Sequence, residues 1–402
     1  MKHFRIWWQK PRRYSEQEEE RRVTFLELFY DLVYVVIIAQ LAHSLSTHIS
    51  IPGFLKYTFL FLMVWWAWFN GVTYHDSHGN NDIKTRIMTF LQMIAVGGMA
   101  VFAHHAMDSS SVGFAISYGS FLLIITYLWW RTGIHDKDHR PLSNPYSFTY
   151  FTASLLMLGS VFVEAPLRFY IWGFSLFLVM FMPLVLMLLA RKKPAMQIQV
   201  ERSVTVSNSL VERFGLLTII VLGEVIVGVV QGVSGVHHFT IQIGVTGVLG
   251  MLLAIGIWWV YFDFISSHQP KKGLIYEGGW IYLHLPLTIS IAAVGAAILN
   301  VINASANEIP AGARMLLSVS VALALLSIAI IHKTIKIPEQ FQRVHRIPGR
   351  IILLSALAAL IPGFFEMNTI LFLLIMILIM LTPIFFGIRL WVKEQVHSSD
   401  SE

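Results

Sequence analysis

The chain contains no cysteine. Without thiols it can form neither disulfides nor thiolate metal sites, and it has no cysteine nucleophile. Charged residues are also scarce, at 13% of the sequence, whereas an average soluble domain carries about 25%. Because 56% of the residues are hydrophobic and the mean hydropathy is +0.65, most of the chain is suited to lipid rather than water. The composition predicts an all-α polytopic membrane protein.

Several familiar sequence motifs are missing as well. The chain has no phosphate-binding loop of the form G-x-x-x-x-G-K-[ST], no dinucleotide fingerprint after a strand, no His-Glu-x-x-His and no G-x-S-x-G. ATP-driven transport and the common hydrolase arrangements therefore lack support, and we predict no catalytic residues. The cluster at 75–78 (His-Asp-Ser-His) is too short to indicate a metal site, so no metal or cofactor is predicted.

The basic pI near 9.4 does not indicate nucleic-acid binding. Such binding needs an isolated basic patch, whereas the basic residues here lie between apolar runs. The first 22 residues have no continuous apolar region and no cleavage site, which argues against a cleavable signal peptide. Trp7 and Trp8, set among lysines and arginines, favour a segment lying on an anionic membrane surface.

Apolar runs long enough to cross a bilayer recur along the whole chain. A helix spanning about 30 Å of hydrocarbon needs about 20 apolar residues. Twelve such runs are predicted, at 23–45, 52–73, 86–107, 112–131, 146–165, 168–190, 206–232, 240–265, 280–303, 311–332, 350–366 and 368–392. If the pair around Pro166 or the run 350–366 does not span, the count falls to ten or eleven.

The distribution of positive charge predicts an orientation. Of the 29 lysines and arginines, only Lys56, Arg168 and Arg314 fall on the outer side when the N-terminus is placed inside, and Arg213 lies within a span. Cytoplasmic loops retain lysine and arginine, so we predict that both termini are cytoplasmic.

The two halves of the chain resemble each other. The second span ends with Trp65-Trp66-Ala67-Trp68-Phe69-Asn70, and the eighth ends with Trp258-Trp259-Val260-Tyr261-Phe262-Asp263. We predict two parallel six-helix repeats. The predicted divisions are a cytoplasmic segment 1–22, a first repeat 23–190, a linker 191–205, a second repeat 206–392 and a cytoplasmic tail 393–402.

Acidic residues in the first span are the first candidates for function. Glu27 and Asp31 stand at i and i+4, on one helix face. Two carboxylates in a membrane helix are costly, so either one is protonated or a cation such as Arg21, Arg22 or Arg86 balances them. They indicate a transport or relay site, or alternatively a structural ion pair.

The seventh span carries Glu212, Arg213 and Glu224. Glu212 and Glu224 are twelve residues apart and are expected to share roughly one helix face. Glu224 is the deepest acidic group in the chain and our first candidate for a proton or cation relay; a hydrogen-bonded structural carboxyl is the alternative.

Further polar residues are predicted near the cytoplasmic ends of the second, eighth and ninth spans. They are Asn70, His75, Asp76, Asp263 and His284. Together with Glu27, Asp31 and Glu212, and with Arg86 nearby, they are expected to line a polar vestibule open to the cytoplasm. His284 precedes Pro286, which frees a backbone carbonyl and favours a kink.

Three segments carry a family resemblance. The segment from Val23 to Val35 (VTFLELFYDLVYV) resembles the opening signature of the bacterial low temperature requirement A (LtrA) family. Glu212-Arg213-Phe214-Gly215-Leu216, with Leu222-Gly223-Glu224, resembles a second signature, and Tyr282-Leu283-His284-Leu285-Pro286 a third. The resemblance implies a bacterial plasma-membrane protein linked by name to growth in the cold, without implying a substrate.

Three functional classes remain open. The first is a transporter or channel for a small solute or cation, which the duplicated bundle and the buried acids favour. The second is a sensor or assembly factor, and the third is a membrane-embedded enzyme that acts on a lipid through Glu27, Asp31, Asp263 and His284. The lipid bilayer is the expected partner, and assembly as a homodimer is left open.

Overall fold

The computed structural model describes residues 9–13, 21–190, 197, 200, 205–236, 239–266, 268–304, 308–337 and 342–399. Trp7 and Trp8 lie outside these ranges, as do most of the predicted linker and the last three residues of the predicted tail. Within them the regular structure is helical, apart from an isolated bridge between Pro270 and Ile335.

The described ranges contain twelve long helices. The first six are α1 (Phe25–Thr47), α2 (Ile51–His78), α3 (Ile83–Ala103), α4 (Ser111–His135), α5 (Arg140–Gly159) and α6 (Leu167–Ala190). The other six are α7 (Asn208–Ser234), α8 (Ile241–Tyr261), α9 (Leu274–Asn303), α10 (Ala311–Thr334), α11 (Gln342–Leu360) and α12 (Thr369–Ser399). A π-helical turn, Phe262–Ser266, extends α8.

Length and composition support a polytopic membrane protein. Of the helices described, 11 are long and apolar enough to cross a bilayer, and they include the run Ile347–Phe364 that the sequence marked as short. The exception is α5, whose first turns carry Pro141, Ser143, Asn144 and Pro145 and so shorten its apolar stretch. The described ranges therefore contain eleven to twelve long apolar helices, as expected of a polytopic membrane protein. The orientation of these helices and the internal repeat stay predictions.

The chain forms two compact units. The first consists of Met1–Ser44 and Lys56–Arg213, and the second of Leu45–Leu55 and Phe214–Glu402. The division falls within α1, α2 and α7 rather than at the predicted linker 191–205. These units are defined by contacts, so the predicted repeat boundaries remain a separate hypothesis.

Capping residues fix where two helices of the first unit begin. Thr24 precedes α1, and the Glu27 carboxylate accepts hydrogen bonds from the Thr24 backbone N–H and hydroxyl, both at 2.9 Å. This is a capping box, in which a side chain three residues into the helix satisfies a backbone donor at its start. Asp82 caps α3 by accepting from the Thr85 N–H at 3.0 Å.

The second unit is organised around α9. In this helix 83% of the apolar window is buried, which suits a helix that is hydrophobic on all faces. Its small residues allow close approach: a Cβ on Gly228 of α7 would overlap the carbonyl oxygen of Gly295. A Cβ on Gly232 would likewise lie too close to the side chain of Ile302. The Gly228-x-x-x-Gly232 spacing therefore serves close packing of α7 against α9.

Candidate functional site

A buried ion pair joins α1 and α7 in the first unit. Arg213 donates from Nε to Asp31 Oδ2 at 3.0 Å and from Nη2 to Asp31 Oδ1 at 2.6 Å. Both side chains are 1% exposed. Trp68 of α2 adds a third donor, its indole N–H lying 2.8 Å from Asp31 Oδ1. Charge-assisted bonds of this geometry compensate the desolvation of a buried carboxylate.

Glu27 is held by a second arginine. Arg21 Nη2 lies 2.5 Å from Glu27 Oε1, and Arg213 Nη1 lies 3.8 Å from the same oxygen. The second distance is too long for a hydrogen bond but gives electrostatic attraction. Of the alternatives left open by the sequence, balance by cations is the one observed: Arg21 contributes, while Arg213 takes the role considered for Arg22 and Arg86.

Asp76, at the end of α2, binds the start of α7. It accepts from the Ser207 hydroxyl at 2.9 Å and from the Ser209 hydroxyl, and Arg21 Nη1 lies 3.4 Å away. Ser207 Oγ also accepts from the Leu210 N–H at 3.0 Å and so helps to begin α7. Asp76 therefore links two helix ends to the arginine that holds Glu27.

The remaining predicted residues of α2 are buried and hydrogen-bonded. His75 Nε2 lies 3.1 Å from the Gln92 side-chain oxygen, and Asn70 Oδ1 accepts from the Tyr150 hydroxyl. Next to Asn70, Gly71 gives space to the Tyr30 hydroxyl, which a Cβ at that position would overlap. Tyr30 in turn lies under Arg213, whose guanidinium carbon is 5.6 Å from the ring centroid.

A cavity of 590 Å³ adjoins this network within the first unit. Glu27, Tyr30 and His75 form part of its wall. The lining residues with charged or polar side chains are Arg12, Arg21, Thr24, Glu27, Tyr30, His75, Asn80, Asn81, Thr85, Arg86 and Thr89. Leu26, Phe25 and Phe90 add apolar surface. The cavity is large enough for a small molecule. Beside it, Glu27 and Asp31 each accept three hydrogen bonds from protein donors.

Glu212 does not belong to this cluster, and the expectation that it shares a face with Glu224 was wrong. Glu212 is exposed, whereas Glu224 is only 5% exposed. Twelve residues at about 100° each amount to about 1,200°, which is about 120° beyond three full turns. The two carboxylates therefore point in different directions from α7.

The second unit holds the other predicted residues. Glu224 is buried and forms no hydrogen bond or ion pair with any residue that the structure describes. His284 is fully buried, with Nε2 3.0 Å from the Tyr261 hydroxyl and Nδ1 2.7 Å from the Trp280 carbonyl oxygen. Asp263 is exposed and accepts from the Trp259 indole at 2.6 Å. A vestibule shared by both groups of residues stays a prediction.

Sequence reasoning missed several partners of these residues. The capping box of Glu27 was legible as Thr24-x-x-Glu27. Trp68 entered the sequence analysis only as part of the segment that the eighth span repeats. Ser207, Ser209 and Gln92 gave no signal, because their roles depend on contacts between distant segments. Among the described residues, no three His, Asp or Glu side chains are grouped so that they could hold a metal ion.

Comparison with known proteins places the chain in a family. A region of 262 residues is 27% identical to a protein of Rhizobium meliloti (strain 1021) named Uncharacterized protein RA0937, covering 62% of this chain and 60% of that protein. No solved structure matches the chain. The family model of the bacterial low temperature requirement A protein (LtrA) matches residues 22–386. This match takes in α1 to α11, most of α12 and every site residue predicted from the sequence, and the chain belongs to the LtrA family.

Proposed function

We propose that this protein is a transporter or channel of the bacterial plasma membrane that moves a small solute through its helical bundle. The observation that carries the proposal is the 590 Å³ cavity whose wall includes Glu27 and His75. Both residues lie on helices apolar enough to cross a bilayer. Ionisable groups on such helices mark solute or ion pathways when they border a cavity.

Ion pairs behind the cavity fix the position of Glu27 in its wall. Arg213, Asp31 and Glu27 each meet an opposite charge at 3.8 Å or less. Such a network holds the N-terminal ends of α1 and α7 together. A membrane-embedded enzyme would need a free base or nucleophile here, so this geometry favours transport over catalysis.

The proposal is tested by uptake into liposomes that contain the purified protein. The solute panel comprises inorganic phosphate, small carboxylic acids, amino acids and alkali cations. Thr85 lines the cavity, so Thr85→Trp is expected to fill it and to reduce uptake of the transported solute severalfold. Ile94→Trp, at a 70% exposed position on the same helix, is the matched control and is expected to transport normally.

Two results would contradict the proposal. One is uptake of every solute in the panel at the rate of protein-free liposomes. The other is an equal reduction by Thr85→Trp and Ile94→Trp, since the cavity would then have no special part in transport. A sensor or assembly factor would give the first result.

A further inference from the structure

Arg86 is an exposed arginine of the cavity wall that has no negatively charged partner among the described residues. Arg86 Nη2 donates to the Asn81 side-chain oxygen at 2.8 Å. No ion pair joins Arg86 to a carboxylate within the part of the chain that the structure describes. A guanidinium has five N–H donors, so most of those of Arg86 are available to a ligand.

The charges of the wall are unequal. Among the described lining residues, Arg12, Arg21 and Arg86 are cationic and Glu27 is the anionic residue. Glu27 is already paired with Arg21 at 2.5 Å. Asp76 also lies near Arg21, at 3.4 Å, but it faces the two serines rather than the cavity. Within the described ranges, no carboxylate compensates the positive charge of Arg86.

The surroundings of Arg86 are suited to an oxyanion. Asn81 and Thr85 line the same cavity and carry an amide and a hydroxyl group that can donate hydrogen bonds to oxygen. Thr89 and Asn80 also line it, but they already donate to the backbone carbonyl oxygens of Thr85 and Lys10. The planar fork of arginine matches the two oxygens of a carboxylate or phosphate group. Among the described lining residues, an alkali cation would meet three guanidinium groups and one carboxylate, Glu27, that is already paired with Arg21, which is unfavourable.

We propose that this cavity binds a small organic anion, through a carboxylate or phosphate group held by Arg86. Its volume of 590 Å³ is within the range of small-molecule sites, and Phe25, Leu26 and Phe90 provide surface for the carbon skeleton. The inference rests on the proposed function for the claim that this anion is the transported solute. The binding step itself stands on the geometry of the cavity.

Binding is measured separately from transport, on detergent-purified full-length protein. The probes are glycerol 3-phosphate and succinate, compared with uncharged glycerol and with potassium chloride at matched ionic strength. The anions are expected to raise the unfolding temperature saturably, and isothermal titration gives the affinity. Arg86→Gln is expected to weaken binding about tenfold or more, because it removes charge-assisted hydrogen bonds.

Two further variants separate the charge of Arg86 from the geometry of its guanidinium group, and both from a general effect of losing one arginine. Arg86→Lys keeps the charge but loses the fork and should bind with intermediate affinity. Arg350→Gln removes an exposed arginine of α11 that does not line the cavity and should bind like the wild type. Absence of binding by both soluble anions and by phosphatidylglycerol, or wild-type affinity in a folded Arg86→Gln variant, would overturn the inference.

An anionic lipid headgroup presents the same phosphate chemistry, so a second arm uses phosphatidylglycerol and phosphatidylcholine nanodiscs. Stabilisation by phosphatidylglycerol alone, lost in Arg86→Gln, supports the anion site and assigns it to a headgroup. Uptake of another solute without anion binding overturns this inference and leaves the transport proposal intact. Anion binding without uptake of any solute supports this inference and contradicts the transport proposal.

Discussion

Arg213 of α7 donates two hydrogen bonds, of 3.0 Å and 2.6 Å, to the carboxylate of Asp31 in α1. The two residues are 182 positions apart in the sequence. Both side chains are 1% exposed. A buried carboxylate and a buried guanidinium each lose strong hydration, and each is tolerated here because the other supplies charge and hydrogen bonds. Substitution of either partner should therefore change the stability of the protein.

Removing one partner should be far worse than removing both. Arg213→Gln leaves Asp31 buried without its cation and is expected to lower the free energy of unfolding by about 3 to 5 kcal/mol. Adding Asp31→Asn should recover much of that loss, because the neutral amide still accepts from Trp68. Thermal unfolding in detergent of the two single variants and the double variant gives the coupling. Strictly additive losses would show that the pair is not coupled.

Gly71 is expected to be sensitive to a single methyl group. Tyr30 is 1% exposed and its hydroxyl occupies the space of a Cβ on Gly71. Gly71→Ala should therefore destabilise the protein by about 1 to 3 kcal/mol through overpacking. Gly97→Ala, on α3 with no atom within 4 Å of its Cβ position, is the matched control. It should be neutral or slightly stabilising, since alanine favours helix; equal destabilisation by both would refute this explanation.

Glu224 allows the predicted relay to be separated from a structural role. The carboxylate is 5% exposed and has no hydrogen-bond partner among the described residues. Glu224→Gln should therefore leave the unfolding temperature unchanged or raise it, because it removes a costly buried charge. If Glu224 relays protons, the same variant abolishes proton-coupled uptake.

Glu212→Gln is the control for this experiment, at an exposed position on the same helix. It should alter neither stability nor uptake. A large loss of stability in Glu224→Gln would instead indicate a structural carboxyl, and unchanged uptake would remove Glu224 from the pathway.

His139, in the connection between α4 and α5, should make stability depend on pH. Burial lowers its pKa from 6.5 to about 4, although nearby Asp136 opposes the shift. The unfolded chain therefore binds a proton between these values and the folded protein does not. The contribution of neutral His139 to the free energy of unfolding is fully present above about pH 6.5. It is lost as the pH drops towards 4, by up to about 3 kcal/mol.

The measurement compares His139→Gln with the wild type by thermal unfolding between pH 7 and pH 5. The variant lacks the titrating ring, so its stability should fall less over this interval. An identical pH dependence in both proteins would exclude His139 as the source.

Particular residues show where prediction from the sequence succeeded and failed. The apolar runs were long enough to locate the helices, and the short run at 350–366 corresponds to an observed candidate span. The cost of placing Glu27 and Asp31 in such a helix left two alternatives, protonation of one carboxyl or balance by a cation, and the structure shows the second. The identity of the balancing cations was only partly foreseen, because Arg213 comes from a helix remote in sequence.

The sequence by itself determined the membrane class, the family and the positions of the helices, because hydropathy and helix length are local properties that the bilayer constrains directly. Only the tertiary structure showed that Asp31 pairs with Arg213 and that Asp76 binds Ser207 and Ser209. It also showed that Arg86 borders a cavity and has no ion-pair partner in the part of the chain described. Such relationships depend on distances between segments brought together by packing, and no local pattern of residues encodes a distance.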